Sequence, residues 1–297
     1  SLGDFFQALP IIDYTLVLHG AHRSWSMGEI QALKSLQAGV GLLFNNSLRD
    51  VLHFRMAMVP RLYGAAARGR SLLMSGAWKM PKRISRDLNN FHHAAKYLGM
   101  ASALGAPDWD GSMPEFKVDL EPETCSPELN SALAMPKIMG LAAGAAYGPA
   151  KRWPAEYFRE IAKRWLECGG SVVALGAGAE REICAEVLSG FPSERALNLA
   201  GGTSLRALMA LLRRSKFLVA NDSGVMHLAA AMGIPGAAVF GSTDPSATSP
   251  VSAKWRVFYE KQDCSPCFSR ECPAGSYACL RSVTPDAVWD AIETRQS

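Results

Sequence analysis

The segment 217–231 constrains the fold most strongly, because an apolar run of strand length leads directly into a helix with a polar start. Residues 217–220 predict a buried strand, and Asp222 or Ser223 can cap the helix that follows. Gly224 has no side chain and lets a ligand approach the backbone closely. Because free N–H groups and the positive end of the helix dipole favour anions, this junction predicts a phosphate-binding site.

His227 lies one turn into the same helix and shares a face with Ser223, since residues four apart are neighbours on a helix. A second predicted strand, 234–240, runs into the hydroxyl-rich loop 241–245, and the two strand exits together suit a nucleotide diphosphate. A simpler interpretation stays open at this point. In it, Asp222 and Ser223 only cap the helix, and His227 is a core histidine with its hydrogen bonds satisfied.

Strand and helix patterns alternate through short connections from about residue 135 onward. This alternation is typical of a doubly wound α/β domain, a parallel sheet covered by helices whose ligand lies at the carboxyl ends of the strands. The predicted strands are 138–143, 171–175, 196–199, 217–220 and 234–240, and the predicted helices are 154–168, 181–188, 204–213 and 285–294.

A domain boundary is expected within residues 105–136. This stretch contains seven prolines or glycines and several acidic residues, which is typical of a linker or an edge hairpin. We therefore predict a first domain over residues 1–134 and a second over residues 135–297.

The first domain carries fewer signals, with a predicted strand at 40–44 and a predicted helix at 90–98. The Gly-Asp pair at 3–4 precedes a helix-like pattern over 5–9 and is typical of a strand exit. We therefore expect that further residues precede Ser1 and that the first domain is incomplete at its start.

Composition and charge narrow the classes of function. With 48% hydrophobic and 20% charged residues, the chain is typical of a globular protein. No stretch approaches the roughly 18 apolar residues of a membrane span, and no charged-then-apolar leader is present, so we expect a cytoplasmic protein without a transmembrane segment.

The net charge is only +4, but residues 50–100 hold nine Lys or Arg against two Asp. This excess predicts an anionic partner, either a phosphorylated substrate or anionic lipid headgroups. Nucleic acid is disfavoured, because aromatic residues are not interleaved with the basic ones. An ordinary solvated basic surface is the alternative.

The seven cysteines, an odd number in a long chain, do not suggest a secreted fold held by disulfides. Four of them cluster at 264, 267, 272 and 279. Four such thiolates could hold a zinc ion, although the spacing is shorter than that of the usual paired motifs. Reduced, partly buried thiols fit the pattern equally well.

The stretches 148–154, 221–231 and 240–245 resemble the lipopolysaccharide heptosyltransferases of glycosyltransferase family 9. The first of these stretches, together with the cysteine cluster, is most similar to the heptosyltransferase II group. The resemblance extends over about 136–292, and before that it rests on residues 1–4, 46–47 and 70–73.

The resemblance implies an α/β fold of the GT-B type, with two Rossmann-like doubly wound domains facing across a cleft and a C-terminal helix crossing back. It implies an enzyme, an inverting glycosyltransferase that needs neither metal nor cofactor. The implied donor is ADP-L-glycero-D-manno-heptose. The implied acceptor is the inner-core heptose on Kdo2–lipid A, with the protein peripheral at the inner membrane.

The resemblance also assigns roles to single residues. Asp4 matches the family's catalytic base, which must lie beside the acceptor hydroxyl, and Lys151 matches a cation that balances charge on the departing diphosphate. Glu180 matches a contact to the ribose, and Thr203 a contact near the adenine. The structural alternatives are a helix N-cap for Asp4 and Thr203, a surface lysine for Lys151, and a first-turn helix acid for Glu180.

Together these inferences define two candidate sets. The donor-binding set is Glu180, Thr203, Asp222, Ser223, Gly224 and His227, and the acceptor-binding set is Asn46, Ser47, Arg68 and Arg70. The competing functions are another sugar-nucleotide enzyme of the same architecture, such as an epimerase or a different transferase of core assembly, and a nucleotide- or lipopolysaccharide-binding protein without catalysis.

Overall fold

The computed structural model of this chain describes residues 2–18, 24–67, 69–79, 92–118 and 126–294. Contacts divide the chain into two units. Asp13–Asp110 is called the first unit here, and Ser1–Ile12 together with Gly111–Ser297 is called the second unit.

The first unit is built on a parallel three-stranded sheet. The chain begins with α1 (Leu2–Gln7), which belongs to the second unit. The first unit follows with α2 (Met27–Ser35), β1 (Val40–Leu43), α3 (Leu48–Met56), β2 (Arg61–Ala65), β3 (Gly76–Trp78) and α4 (His93–Ala103). The strands lie in the order β1-β2-β3, and Leu43, Val51, Val59 and Leu62 form a buried cluster between sheet and helix.

The second unit contains a larger sheet with helices between its strands. In chain order its elements are α5 (Pro127–Ala134), β4 (Ile138–Ala142), α6 (Ala155–Glu167), β5 (Ser171–Ala174), α7 (Arg181–Leu188), β6 (Ala196–Asn198), α8 (Leu205–Arg214), β7 (Ser215–Asn221), α9 (Gly224–Ala231), β8 (Gly236–Val239), α10 (Pro245–Thr248), β9 (Trp255–Phe258), α11 (Ala278–Arg281) and α12 (Pro285–Glu293).

The six strands of this sheet are all parallel and lie in the order β6-β5-β4-β7-β8-β9. The first strand in sequence is therefore central, and the chain winds outward first to one edge and then to the other, which is the doubly wound Rossmann arrangement. Side chains alternate between the two faces, as the strand period of two requires. Met139 and Val219 pack with α6, α7 and α12, whereas Leu218 and Ala220 pack with α5, α8 and α9.

The unit division differs from the predicted boundary between residues 134 and 135. Helices α1 and α5 both pack on α8, and the Phe5 and Phe116 rings lie 5.4 Å apart. Residues 1–12 and 111–134 therefore belong by their contacts to the second unit. Within the predicted linker or hairpin, residues 127–134 form a helix that Ser126 caps by accepting a hydrogen bond from the Leu129 N–H.

Helix α12 packs mainly on α6 and β8, and Arg164 Nη2 lies 2.7 Å from Asp286 Oδ1 across the α6 contact. Throughout the described ranges, every helix is either too short or too polar to cross a bilayer.

Candidate functional site

The site lies at the carboxyl ends of β4 and β7, which are neighbours in the sheet with Ala142 opposite Ala220. The connection after β4 leads toward one edge of the sheet, and the connection after β7 leads toward the other. In doubly wound domains, ligands bind in the crevice that opens at such a switch point. Asn221 holds the crevice together from a fully buried position. Its Nδ2 donates to the Ala143 and Gly144 carbonyls at 2.7 and 3.2 Å, and its Oδ1 accepts from the Trp153 N–H at 2.9 Å.

Helix α9 starts at Gly224, three residues after Asn221, with no side-chain cap. Ser223 is its N-cap residue by backbone geometry, yet the Ser223 Oγ is buried without a hydrogen-bond partner among the described residues. The prediction that Asp222 or Ser223 caps the helix is therefore wrong. At Gly224, a Cβ atom would meet nothing within 4 Å, so the approach to the first turn of α9 is open.

The Asp222 carboxylate bonds two side chains from other loops, Lys151 and Thr243. Its Oδ2 lies 2.5 Å from Lys151 Nζ and accepts a hydrogen bond from Thr243 Oγ1 at 2.7 Å. The Asp222 and Lys151 side chains are 6% and 14% exposed, so both charges are largely removed from water. Lys151 therefore belongs to this site and is not a free surface lysine.

Lys151 is also held by an aromatic ring. It ends a 3-10 turn, Pro149–Lys151, and its Nζ lies 4.9 Å from the centroid of the Tyr147 ring, a cation–π distance. An ammonium group has three donors, so it can retain Asp222 and still donate to a phosphate oxygen. Together with the uncapped start of α9, it offers hydrogen-bond donors to an anion.

Glu180 also lies at this edge of the sheet. It precedes α7 without capping it, and its Oε2 accepts a hydrogen bond from the Ala177 N–H at 2.7 Å. A Cβ atom at Gly144 or at Gly176 would overlap its carboxylate, so Glu180 packs over the loops that follow β4 and β5. The structure thus brings Glu180 to the strand ends.

Thr203 does not cap α8 and His227 does not lie in the core, so the structural alternatives for these two residues are wrong. The cap of α8 is Ser204, whose Oγ accepts from the Ala207 N–H at 3.1 Å, so Thr203 is a half-buried loop residue beyond the end of β6. His227 is exposed on α9 and is not a core histidine.

Asp4 lies inside the first turn of α1, so it is not the cap of that helix. Its carbonyl accepts a hydrogen bond from the Ala8 N–H at 3.2 Å. Through the packing of α1 on α8, Asp4 belongs to the same unit as Lys151, whereas the sequence interpretation placed the two in different domains.

The predicted acceptor residues lie in the first unit, and the structure gives several of them local roles. Ser47 caps α3 by accepting from the Asp50 N–H at 3.1 Å, and the Asn46 Oδ1 accepts from Lys96 Nζ at 3.3 Å. Arg68 lies outside the described residues.

Arg70 does not fit the predicted basic surface, because it is fully buried. Its Nε and Nη2 both donate to the Ala65 carbonyl, at 2.9 and 2.8 Å. Burial lowers the pKa of this guanidinium, and the nearby Asp50 opposes that shift. The expectation that Arg70 meets the acceptor is corrected accordingly, because the side chain is held inside the first unit.

The cysteine cluster lines a cavity of about 330 Å³ beside Ala150 and Ser242. Nowhere in the described ranges are three or more His, Cys, Asp or Glu side chains placed so that they could hold a metal ion. The zinc interpretation of the cysteine spacing therefore gains no support from the geometry.

Three site residues were not identified from the sequence: Asn221 as a structural bridge, Thr243 as a partner of Asp222, and Tyr147 as a partner of Lys151. Asn221 and Thr243 stand in the motifs that were singled out, but their contacts join positions far apart in the chain. Only their shared location at strand ends could have indicated them.

Known proteins resemble this chain in sequence and in structure. The sequence model of glycosyltransferase family 9 (heptosyltransferase) matches residues 29–278. Lipopolysaccharide heptosyltransferase 2 of Salmonella typhimurium is 34% identical over 160 residues, which are 53% of this chain and 46% of the relative. The Escherichia coli protein of the same name is 34% identical over 158 residues, 52% of this chain and 45% of the relative. The chain thus matches about half the length of these curated relatives.

Two solved structures share the fold. The structure of E. coli ADP-heptose lps heptosyltransferase II superposes with a TM-score of 0.76 at 24% identity, over 99% of this chain and 86% of that one. A family 9 glycosyl transferase from Veillonella parvula gives 0.75 at 21% identity, over 99% and 85%. These similarities confirm the predicted fold class, α/β of the GT-B type. Because the family match covers most of the sequence and includes the strand ends that hold Lys151, Asp222 and Thr243, this chain belongs to glycosyltransferase family 9, the heptosyltransferases.

Proposed function

We propose that this protein transfers heptose from ADP-L-glycero-D-manno-heptose to the heptose of the lipopolysaccharide inner core, with inversion at the anomeric carbon and without a metal ion. Family membership and the similarity to proteins named heptosyltransferase 2 support this reaction class. The similar E. coli structure is that of an ADP-heptose lps heptosyltransferase II, which supports the choice of donor.

The observation that carries the proposal is the largely buried Lys151 beside the uncapped start of α9. The donor diphosphate would lie between the two, where its charge meets an ammonium group and the positive end of a helix dipole. As the bond to the sugar breaks, negative charge grows on the departing ADP. A fixed cation stabilises that charge increasingly toward the transition state, so a divalent ion is not required.

The remaining proposed contacts to the donor come from residues near the carboxyl ends of the strands. Glu180, packed over Gly144 and Gly176, would accept hydrogen bonds from the ribose hydroxyls, and Thr203 beyond β6 would lie near the adenine. Ser223 Oγ, buried and unpartnered among the described residues, would donate to a phosphate oxygen. Exposed His227, one turn further along α9, would approach the same ligand.

Asp4 would act as the general base that accepts the proton of the attacking hydroxyl. Asn46 and Ser47, with Arg68, would contribute to binding of the lipid-linked acceptor. We further propose that the protein works at the cytoplasmic face of the inner membrane, where such an acceptor is presented.

The test is to incubate the purified protein with ADP-heptose and a heptose-bearing lipid A core, and to follow the acceptor by mass spectrometry. A mass gain of one heptose, unaffected by a chelator, is the expected result. Binding of ADP-heptose without any gain would indicate a non-catalytic binder. A gain only with a different nucleotide sugar would indicate another transferase of core assembly.

A further inference from the structure

The cavity lined by cysteines lies within the second unit and is formed mainly by the segment 262–279, called the cysteine loop here. Cys264 is exposed, and Cys267, Cys272 and Cys279 are partly exposed, so small molecules can reach their sulfur atoms. All four are free thiols that face the same cavity of about 330 Å³.

The cysteine loop is tied to the loops that hold the donor site. The Phe268 N–H donates to the Ser242 carbonyl at 2.7 Å, and the Arg270 carbonyl accepts from the Ala150 N–H at 3.0 Å. Arg270 Nε also donates to the Tyr147 carbonyl at 2.7 Å. Any rearrangement of the cysteine loop therefore acts on Tyr147 and Ala150, which precede Lys151, and on Ser242, which precedes Thr243.

Cys272 is the candidate nucleophile of the cysteine loop. Its Sγ accepts a hydrogen bond from the Tyr277 N–H at 3.4 Å. The Tyr277 N–H first, and then the backbone N–H groups of residues 274–276, lower the pKa of the Cys272 thiol and favour the reactive thiolate.

Cys279 has the opposite character. Burial raises the pKa of its thiol, and the neighbouring Cys264, Cys272 and Cys267 raise it further. It is therefore a poor attacking group, because only a thiolate attacks a disulfide.

We propose that the cysteine loop is a thiol–disulfide exchange site whose nucleophile is Cys272 and whose co-reactant is a low-molecular-weight disulfide such as oxidised glutathione. The Cys272 thiolate attacks one sulfur of that disulfide, forms a mixed disulfide and releases one thiolate. Cys264 or Cys267 then loses its proton to water and attacks the Cys272 sulfur, which releases the second thiolate. The protein dithiol is thereby oxidised to one disulfide, and the small disulfide is reduced to two thiols.

A metal site is the competing explanation for four clustered cysteines. Over the described ranges the geometry does not favour it, since three suitable ligands do not converge on any point. Metal-bound thiolates would also resist exchange, so the same experiment separates the two explanations.

The consequence for the enzyme rests on the proposed function. A disulfide from Cys272 to Cys264 or Cys267 would change the conformation of the segment between them, which carries Phe268 and Arg270. We expect ADP to bind more weakly to the oxidised protein, because the loop that holds Lys151 loses its support. The thiol–disulfide exchange itself does not depend on this effect on ADP binding.

The experiment treats the whole protein with oxidised glutathione and maps disulfides in tryptic digests. Cleavage after Lys261, Arg270 and Arg281 places Cys264 and Cys267 in peptide 262–270, and Cys272 and Cys279 in peptide 271–281. The expected product is a crosslink between these two peptides, formed several times faster than glutathionylation of exposed Cys168. Cys184, whose burial raises its pKa to about 12, should stay unmodified.

Two variants keep the result interpretable. Cys272→Ser should abolish the crosslink, and Cys279→Ser should retain it. A crosslink that persists in Cys272→Ser, or thiols that react only after a chelator removes bound metal, would overturn the proposal. An unaltered affinity for ADP after crosslinking would overturn only the link to Lys151, and a protein that crosslinks but never transfers heptose would count against the proposed function alone.

Discussion

Lys151 Nζ lies 2.5 Å from Asp222 Oδ2, so the cation proposed to bind the donor diphosphate is already paired with a nearly buried carboxylate. The two residues have opposite effects on an arriving phosphate, because one attracts it and the other repels it. Of substitutions at the two positions, only the one that removes the Lys151 cation is therefore expected to weaken ADP binding.

Lys151→Ala should weaken ADP binding about 10- to 100-fold, because a hydrogen bond to a charged group contributes roughly 1.5–3 kcal/mol. Asp222→Asn should leave ADP binding equal or tighter, because it removes a repelling charge. Calorimetry with ADP measures both. Lys163→Ala is the matched control, since that lysine is 59% exposed on α6 and should have no effect. Weaker binding by Asp222→Asn and Lys151→Ala alike would contradict the arrangement.

Gly224→Val should weaken ADP binding while the protein stays folded. A Cβ atom at this position meets no protein atom within 4 Å, so the added side chain fills only the space where the diphosphate would approach α9. Gly39→Val is the control, because its Cβ position is equally open but lies in the first unit. Thermal unfolding should be similar for both variants, and normal ADP affinity in Gly224→Val would remove the start of α9 from the site.

Asn221→Ala should lower the free energy of unfolding by about 1–3 kcal/mol, because it leaves a buried N–H and two carbonyls without partners. Urea denaturation measures this loss. Asn198→Ala offers a comparison at the end of β6, where the side chain also bonds two backbone groups but is only half-buried. An equal or larger loss in Asn198→Ala would show that the bridge between β4 and β7 does not have the role described here.

Arg70→Met should destabilise the first unit, because two hydrogen bonds from a buried guanidinium to Ala65 are lost at roughly 1.5–3 kcal/mol for charged donors. Hydrogen exchange in β2 is the measurement, with Arg61→Met, exposed at the start of β2, as control. Unchanged protection in β2, together with a raised KM for the acceptor, would restore Arg70 to the acceptor surface.

The second unit could be predicted closely because its signals are local. Helix α7 has the predicted bounds of 181–188, and α6 begins one residue after its predicted start at Pro154. The edge strand β9 was not predicted, because Trp255–Phe258 is short and shows no alternation that separates it from a loop. Its strand character comes from pairing with β8.

The site residues were predictable by type and motif, but their partners were not. Asp222 has the local sequence pattern of a helix cap. In the structure its carboxylate instead bonds Lys151, 71 positions earlier, and Thr243, 21 positions later. Arg70 likewise has the pattern of a surface basic residue, and only the fold of the first unit shows that it is enclosed. Contacts between distant positions decide such cases, and a single sequence does not display them.

The most direct test of the central claim, that this protein catalyses an inverting sugar transfer, is a single-turnover assay of Asp4→Asn with ADP-heptose and the lipid A core acceptor. The substitution keeps the shape of the side chain and removes its ability to accept a proton. We expect ADP affinity to stay normal and transfer to slow by about 10²–10⁴-fold, whereas Asp13→Asn, at an exposed position later in the chain, should transfer normally. Transfer by Asp4→Asn at a rate near that of the unsubstituted protein would contradict the account.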